Sequence, residues 1–236
     1  MIVDSKSCNA SCSHDKNNTK PNLIFLGAPG AGKGSIASVL VKEYEYFQLS
    51  TGDMFRSEIK NQTELGLQIK AVLDSGGYVD NSLTNKLVEQ RLTSLVEQEQ
   101  AFILDGYPRT IEQADFLRTL EQKNIKIDKV IFLKITKDQV IDRLSKRRIC
   151  PNCKTIFHLE SHPPRENKYC TKCGSEVIKR PDDEPQVIEK RLSVYEKETQ
   201  ILIDYYKKIG NLIEIDSFQE FPKVYADVKK ALGWSS

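Results

Sequence analysis

Residues 27–35 read Gly-Ala-Pro-Gly-Ala-Gly-Lys-Gly-Ser. Gly30, Gly32 and Gly34, with Ala31 between, let main-chain N–H groups approach and surround an anion. A helix opening at Lys33 adds the positive end of its dipole. Lys33 supplies a mobile charge for the outer groups of a polyphosphate, and a hydroxyl nearby suits its Mg²⁺. Phosphate loops ordinarily carry that hydroxyl directly after the lysine; here Gly34 intervenes and Ser35 takes the role one residue later.

A second set of residues is cationic. Arg56 and Arg109 lie just past two apolar runs, and Arg143 and Arg147 stand at i and i+4 of a helical segment, so both should leave one helix face. Arg148 follows at once, and Arg180 and Arg191 bracket Asp182 and Asp183. Arginines gathered at one edge repel one another unless polyanions sit among them. Asp105 ends an apolar run, where a carboxylate needs a hydrogen bond or a cation. A water-bridged Mg²⁺ fits that position; so does initiation of a turn before Gly106 and Pro108.

The third set is Cys150-x2-Cys153, sixteen intervening residues, then Cys170-x2-Cys173. Four thiolates in two knuckles suit tetrahedral Zn²⁺, and a shell closed by four sulfurs leaves no position for chemistry, so the ion's role is structural. Cys8, Cys12 and His14 offer no fourth ligand and stay unassigned.

The elements that must carry these residues alternate. Apolar runs at 23–26, 46–49, 101–104, 129–135 and 212–215 predict strands. Segments of helical period predict helices over 33–45, 52–61, 64–75, 82–98, 111–122, 137–147, 185–208 and 222–232. In the longest, Ile188, Leu192, Tyr195, Thr199, Leu202 and Tyr206 form one buried stripe. The pattern implies an α/β fold, a parallel sheet flanked by helices, with ligands beyond the carboxyl ends of the strands. Residues 149–179 break the alternation with four cysteines and three prolines, and the helix pair before Val79 delays the next strand. Both interruptions are expected to be moving parts.

A hydrophobic share of 39% and a charged share of 29% describe an ordinary globule, and no apolar run approaches the ~18 residues of a membrane span. A net charge of +2 is too mild for nucleic acid or an anionic membrane as main partner, so anionic ligands must be met locally. Residues 1–21 are polar, without Arg or an apolar stretch, and are expected to be a flexible tail rather than a targeting signal. Paired cysteines without an export signal point to a reducing, cytoplasmic setting.

The motif 27–35, Ser50-Thr51-Gly52-Asp53-Met54-Phe55-Arg56 and Asp105-Gly106-Tyr107-Pro108-Arg109-Thr110 resemble the successive signatures of adenylate kinases. The arginines at 143–148, the four-cysteine insertion and Arg180-x-Asp182-Asp183 followed by Arg191 resemble the long-lid, zinc-containing branch. The intervening Gly34 is the family's habit; Ser35 stands where the family usually has Thr, and Gly77 where a larger residue is common.

The resemblance implies reversible phosphoryl transfer from ATP to AMP, giving two ADP, with Mg²⁺ on the nucleotide; a self-contained catalytic unit makes a monomer the default expectation. It implies a core of 22–49, 80–145 and 184–236, an AMP-binding flap of 50–79 and a zinc-stapled lid of 146–183. ATP would be held by Gly30, Ala31, Gly32, Lys33, Gly34, Ser35, Arg143, Arg147, Ile156 and Phe157. AMP would be held by Thr51, Arg56, Gly77, Tyr78, Val79, Gly106, Arg109, Gln113, Arg180 and Arg191. Lys33, Arg109, Arg147, Arg180 and Arg191 would act on the transferring phosphoryl group, with Ser35 and Asp105 on Mg²⁺ through water. Two other readings remain: a kinase that uses GTP or accepts another monophosphate, and a nucleotide-regulated zinc-ribbon protein that binds nucleic acid.

Overall fold

The structure, a computed structural model, describes residues 20–234. Five short parallel strands form one sheet: β1 (Leu23–Leu26), β2 (Phe47–Ser50), β3 (Phe102–Asp105), β4 (Lys129–Lys134) and β7 (Leu212–Asp216), in the order β2-β3-β1-β4-β7. Along β1, side chains alternate between two cores. Ile24 and Leu26 join Leu92, Phe102 and Leu104 on one face, while Leu23 and Phe25 join Ile36, Leu40, Ile131 and Val228 on the other. With both faces covered, the strands are continuous apolar runs, as a buried parallel sheet requires.

The helices on the two faces begin and end on side-chain signals. α1 (Lys33–Tyr44) opens from the phosphate loop. α2 (Thr51–Lys60), α3 (Glu64–Asp74), α4 (Asn81–Glu97) and α5 (Ile111–Thr119) are capped by Ser50, Thr63, Asp80 and Thr110, each accepting from a main-chain N–H in the first turn. α6 (Lys137–Ser145) opens with a reciprocal capping box between Thr136 and Gln139. α9 (Phe221–Leu232) starts with Pro222 and stops at Gly233 in the left-handed region.

Two expectations are corrected. The helix expected over 137–147 ends at Ser145, and Arg147 opens β5 (Arg147–Ile149), which pairs antiparallel with β6 (Ile156–His158). Arg143 and Arg147 therefore do not share a helix face: ladder bonds to β6 and an ion pair described below draw Arg147 out of helical register. The single helix expected over 185–208 is three pieces, α7 (Pro185–Val194), a π turn (Tyr195–Thr199) and α8 (Ile201–Ile209). The buried stripe survives the interruption, because Tyr195, Thr199, Leu202 and Tyr206 are all buried. No helix among the described residues is long and apolar enough to cross a membrane.

α2 and α3 lie against each other, and Phe55, Ile69 and Val79 form a small core of their own. Contact depends on Gly66, where an added Cβ would fall 2.2 Å from the Glu58 carbonyl oxygen. Gly66→Ala is therefore expected to destabilise by ~1–3 kcal/mol through overpacking. The loss should appear as faster amide exchange across residues 51–74, with the strands of the sheet still protected.

Candidate active site

The phosphate loop leaves the carboxyl end of β1 through Gly27, whose φ of +142° and 2.7 Å approach of a would-be Cβ to the Leu133 carbonyl admit only glycine. Lys33 Nζ donates to the Gly27 and Ala28 carbonyls at 2.7 and 3.0 Å, so the ammonium is folded back on its own loop. Burial lowers its pKa to about 8; Asp105 opposes the shift, while Arg109, Arg191 and Arg147 add to it. Asp105 accepts from Gln48 Nε2 at 3.0 Å. It also faces Gly34, whose would-be Cβ lies 3.5 Å from Asp105 Oδ2 and 3.9 Å from Ile156 Cδ1 of β6. The β5–β6 hairpin thus overhangs the start of α1. Ser35 follows within that first turn, its N–H bonded to the Gly32 carbonyl.

A cleft opens beside the loop, lined by Lys33, Thr51, Arg56, Gly77, Tyr78, Val79, Gly106, Arg109, Gln113, Asp182, Arg191 and Thr199 among others. Arg56 pairs with Asp53 at 2.7 Å, and Arg109 Nε donates to the Gly106 carbonyl at 2.7 Å. Arg191 Nη1 lies 2.9 Å from Asp182 Oδ2 and 3.2 Å from Asp183 Oδ1. Arg147 forks onto Asp183, Nε to Oδ2 at 2.8 Å and Nη2 to Oδ1 at 2.5 Å. Asp183 is fully buried, a position tolerable for a carboxylate only with such partners.

Arg180 is the least comfortable member. It is 9% exposed, and its Nε has no hydrogen-bond partner among the described residues. Burial drives its guanidinium down to about 10, with Arg147 and Arg56 repelling it and Asp182 and Asp53 only partly compensating. A buried guanidinium with an unused N–H in a cationic surround is an anion-binding arrangement.

Other expected residues are differently disposed. Gln113 is buried with both ends of its amide engaged: Oε1 accepts from Arg109 N, and Nε2 donates to Asn81 Oδ1, each at 2.8 Å. It therefore holds the Arg109 main chain at the cleft wall. Thr51 Oγ1 donates to the Gly106 carbonyl at 2.8 Å. Arg143 does not line the cleft, and its Nη2 donates to the Ser217 carbonyl. Phe157 is turned into the hairpin's interior and stacks on His162, which leaves its main chain for any nucleotide. The sequence reading missed Thr199 as a cleft residue, although a hydroxyl within an apolar stripe was a signal.

The four cysteines converge. Their sulfurs lie within 4.8 Å of one another, with Cys150–Cys173 and Cys153–Cys170 at 3.4 Å. A tetrahedron with ~2.3 Å metal–sulfur bonds has edges of ~3.8 Å, so the set fits such an ion. The knuckles repeat one design. Lys154 and Gly174 have positive φ, and their N–H groups donate to the Cys150 and Cys170 carbonyls. Cys153 N and Lys172 N donate to sulfur at 3.4 Å, a contact that favours thiolate. Ser175 holds the Cys173 thiol down to about 5, whereas burial pushes Cys150 up to about 11. Cys8, Cys12 and His14 lie outside the described residues.

The sequence profile of one family, described as adenylate kinase, matches residues 25–211. Curated relatives carrying that name cover nearly the whole chain. One from Caldanaerobacter subterraneus subsp. tengcongensis is 44% identical over 211 residues, 89% of this chain and 95% of its own. One from Treponema denticola is 46% identical over 208 residues, 88% and 97% of the two chains. One from a Geobacillus species is 43% identical over 213 residues, 90% and 98%. With a phosphate loop, a cationic cleft and a four-sulfur hairpin arranged around one sheet edge, and with matches of this length, the chain belongs to the adenylate kinase family.

Proposed function

We propose that this protein catalyses reversible phosphoryl transfer between ATP and AMP, forming two ADP. The reading rests above all on the buried Arg180, whose Nε has no partner among the described residues, standing with Lys33, Arg56, Arg109, Arg147 and Arg191 where a phosphate loop meets the cleft. ATP belongs on Gly30 to Ser35 under the β5–β6 hairpin, near Ile156, the Phe157 main chain and Arg143. AMP belongs in the cleft against Thr51, Arg56, Tyr78, Val79 and Arg109, with Arg180, Arg191 and Arg147 between the nucleotides. Segment 50–79 serves as the AMP flap, 146–183 as the lid and the remainder as core.

AMP attacks through an oxygen that is already anionic, so no side chain need remove a proton. What opposes reaction is repulsion between two polyanions, and fixed guanidiniums offset it without reorganising. Closure of lid and flap excludes water, which otherwise competes for the same phosphoryl group. Ser35 and Asp105 suit Mg²⁺ through water, and the metal would neutralise phosphate charge when bound. Zinc on Cys150, Cys153, Cys170 and Cys173 would stiffen the lid and take no part in the chemistry. We take the protein to act as a cytoplasmic monomer. Incubation with ATP·Mg, or GTP·Mg, and a panel of monophosphates tests the reading: ADP formed from ATP and AMP in preference to other pairs supports it, and its absence overturns it.

Three further outcomes are expected. Arg109→Lys should lower kcat/KM by roughly 10²–10³, because an ammonium cannot reproduce the planar fork; a coupled ADP assay reads this, and near-normal turnover would remove Arg109 from its role. Lys33 is cationic below about 8 and neutral above it in the free protein. Hence kcat/KM for ATP should fall as pH rises through about 8, while kcat falls later, since bound phosphate favours the ammonium. A kcat/KM for ATP that stays level to pH 10 would contradict this. Finally, elemental analysis should find one zinc per chain, and chelation should lower the melting temperature by roughly 5–10 °C, a ~2–3 kcal/mol loss for a chain of this size. A Cys170→Ser variant should melt early and ignore the chelator.

A further inference from the structure

Thr199 lies in the π turn between α7 and α8, a kind of turn found frequently at functional sites. A threonine inside an α-helix commonly returns its hydroxyl to the carbonyl four residues back. Here that carbonyl, on Tyr195, is taken by Gln200 N at 2.9 Å. The Thr199 hydroxyl instead donates to the Arg109 carbonyl at 2.8 Å. Its single proton is thereby spent, so the 2.8 Å contact with Tyr78 Oη has the phenol as donor and Thr199 as acceptor. The Tyr78 ring lies under the Arg109 guanidinium, 4.8 Å from centroid to Cζ. Its neighbour Gly76 rests against Val187 and Arg191 of α7.

These contacts close a circuit through three segments far apart in sequence: Tyr78 after α3, Arg109 after β3 and Thr199 after α7. With Gln113 holding its N–H and Gly106 accepting from its Nε, Arg109 is fixed at main chain and side chain alike. We infer that Tyr78 and Thr199 are positioning residues for the acceptor side of the reaction: their hydroxyl bridge seats the 76–79 loop over the cleft and orients Arg109 before the monophosphate arrives. Neither hydroxyl need touch the reacting phosphates. The bridge acts by preorganisation, so its loss should appear in the acceptor's KM rather than in the donor's. This inference rests on the cleft being the AMP site.

Tyr78→Phe keeps the ring on Arg109 and removes only the bridge. It should raise KM for AMP about threefold to tenfold, the span of one net hydrogen bond, with KM for ATP unchanged and the melting temperature lowered by no more than about 2–4 °C. Thr199→Ser should stay close to the parent protein. Thr199→Val should reproduce the rise, and the double variant should add little to either single change, because both remove one interaction. An unchanged KM for AMP in Tyr78→Phe, or effects that multiply in the double variant, would overturn the bridge. A rise confined to KM for ATP would overturn the assignment of the cleft as well. Tyr78→Phe decides by itself if Thr199→Val does not fold.

Discussion

Positive charge held half out of water, at one edge of a sheet, is the condition around which this molecule is built. Lys33, Arg56, Arg109, Arg147, Arg180 and Arg191 share a region small enough that several of them depress one another's proton affinity. Left alone, such a cluster would push the surrounding elements apart. Asp53, Asp105, Asp182 and Asp183 hold it together, each set against a cation it stabilises. Carboxylates suit this duty because a phosphate offers the same planar pairs of oxygens to a guanidinium. An arginine therefore exchanges an aspartate for a ligand with little change in its own geometry. Among the described residues Arg180 has no partner for its Nε, so it has the most to gain from an anion.

The parallel sheet explains how these charges come to one place. β1, β2 and β3 are hydrogen-bonded neighbours, so the residues at their carboxyl ends emerge side by side although they are far apart in sequence. Ser50 lies opposite Asp105 in the β2–β3 ladder, and the Thr51–Gly106 hydrogen bond continues that alignment one step past it. Register thus decides that the cleft opens beside the phosphate loop. The crossing helices bury both faces and leave the edge to bind ligands.

Strands, most helices and the two chemical motifs were legible in the sequence because each is local. A phosphate loop is nine consecutive residues after an apolar run, and the cysteine knuckles announce themselves by spacing. What escaped depends on partners distant in the chain. Arg147 continues the helical period of 137–145, yet it leaves the helix because β6 and Asp183 offer it ladder bonds and a bidentate partner. The π turn is equally hidden, since Tyr195 and Thr199 keep ordinary α spacing and only the bond from Gln200 N to Tyr195 O betrays it. Gln113 reads as a polar residue at a ligand site, and only the fold shows that one amide hydrogen and one lone pair also hold Asn81 and the Arg109 main chain.

The hairpin segment carries the same logic into the part expected to move. Its apolar core is only Cys150, Phe157, Cys170 and Val177, too little to order some thirty-eight residues between 146 and 183 against chain entropy. Two further constraints meet there: the sulfur cluster ties the middle of the segment. At its base, Arg147 binds Asp183 and Ile149 pairs with Ile178, bringing its two ends together. The segment is thus tied both at its middle and at its base. Asp183 of the pair that closes the base also meets Arg191, which lines the cleft, so the base of the segment and the cleft share one ion-pair network.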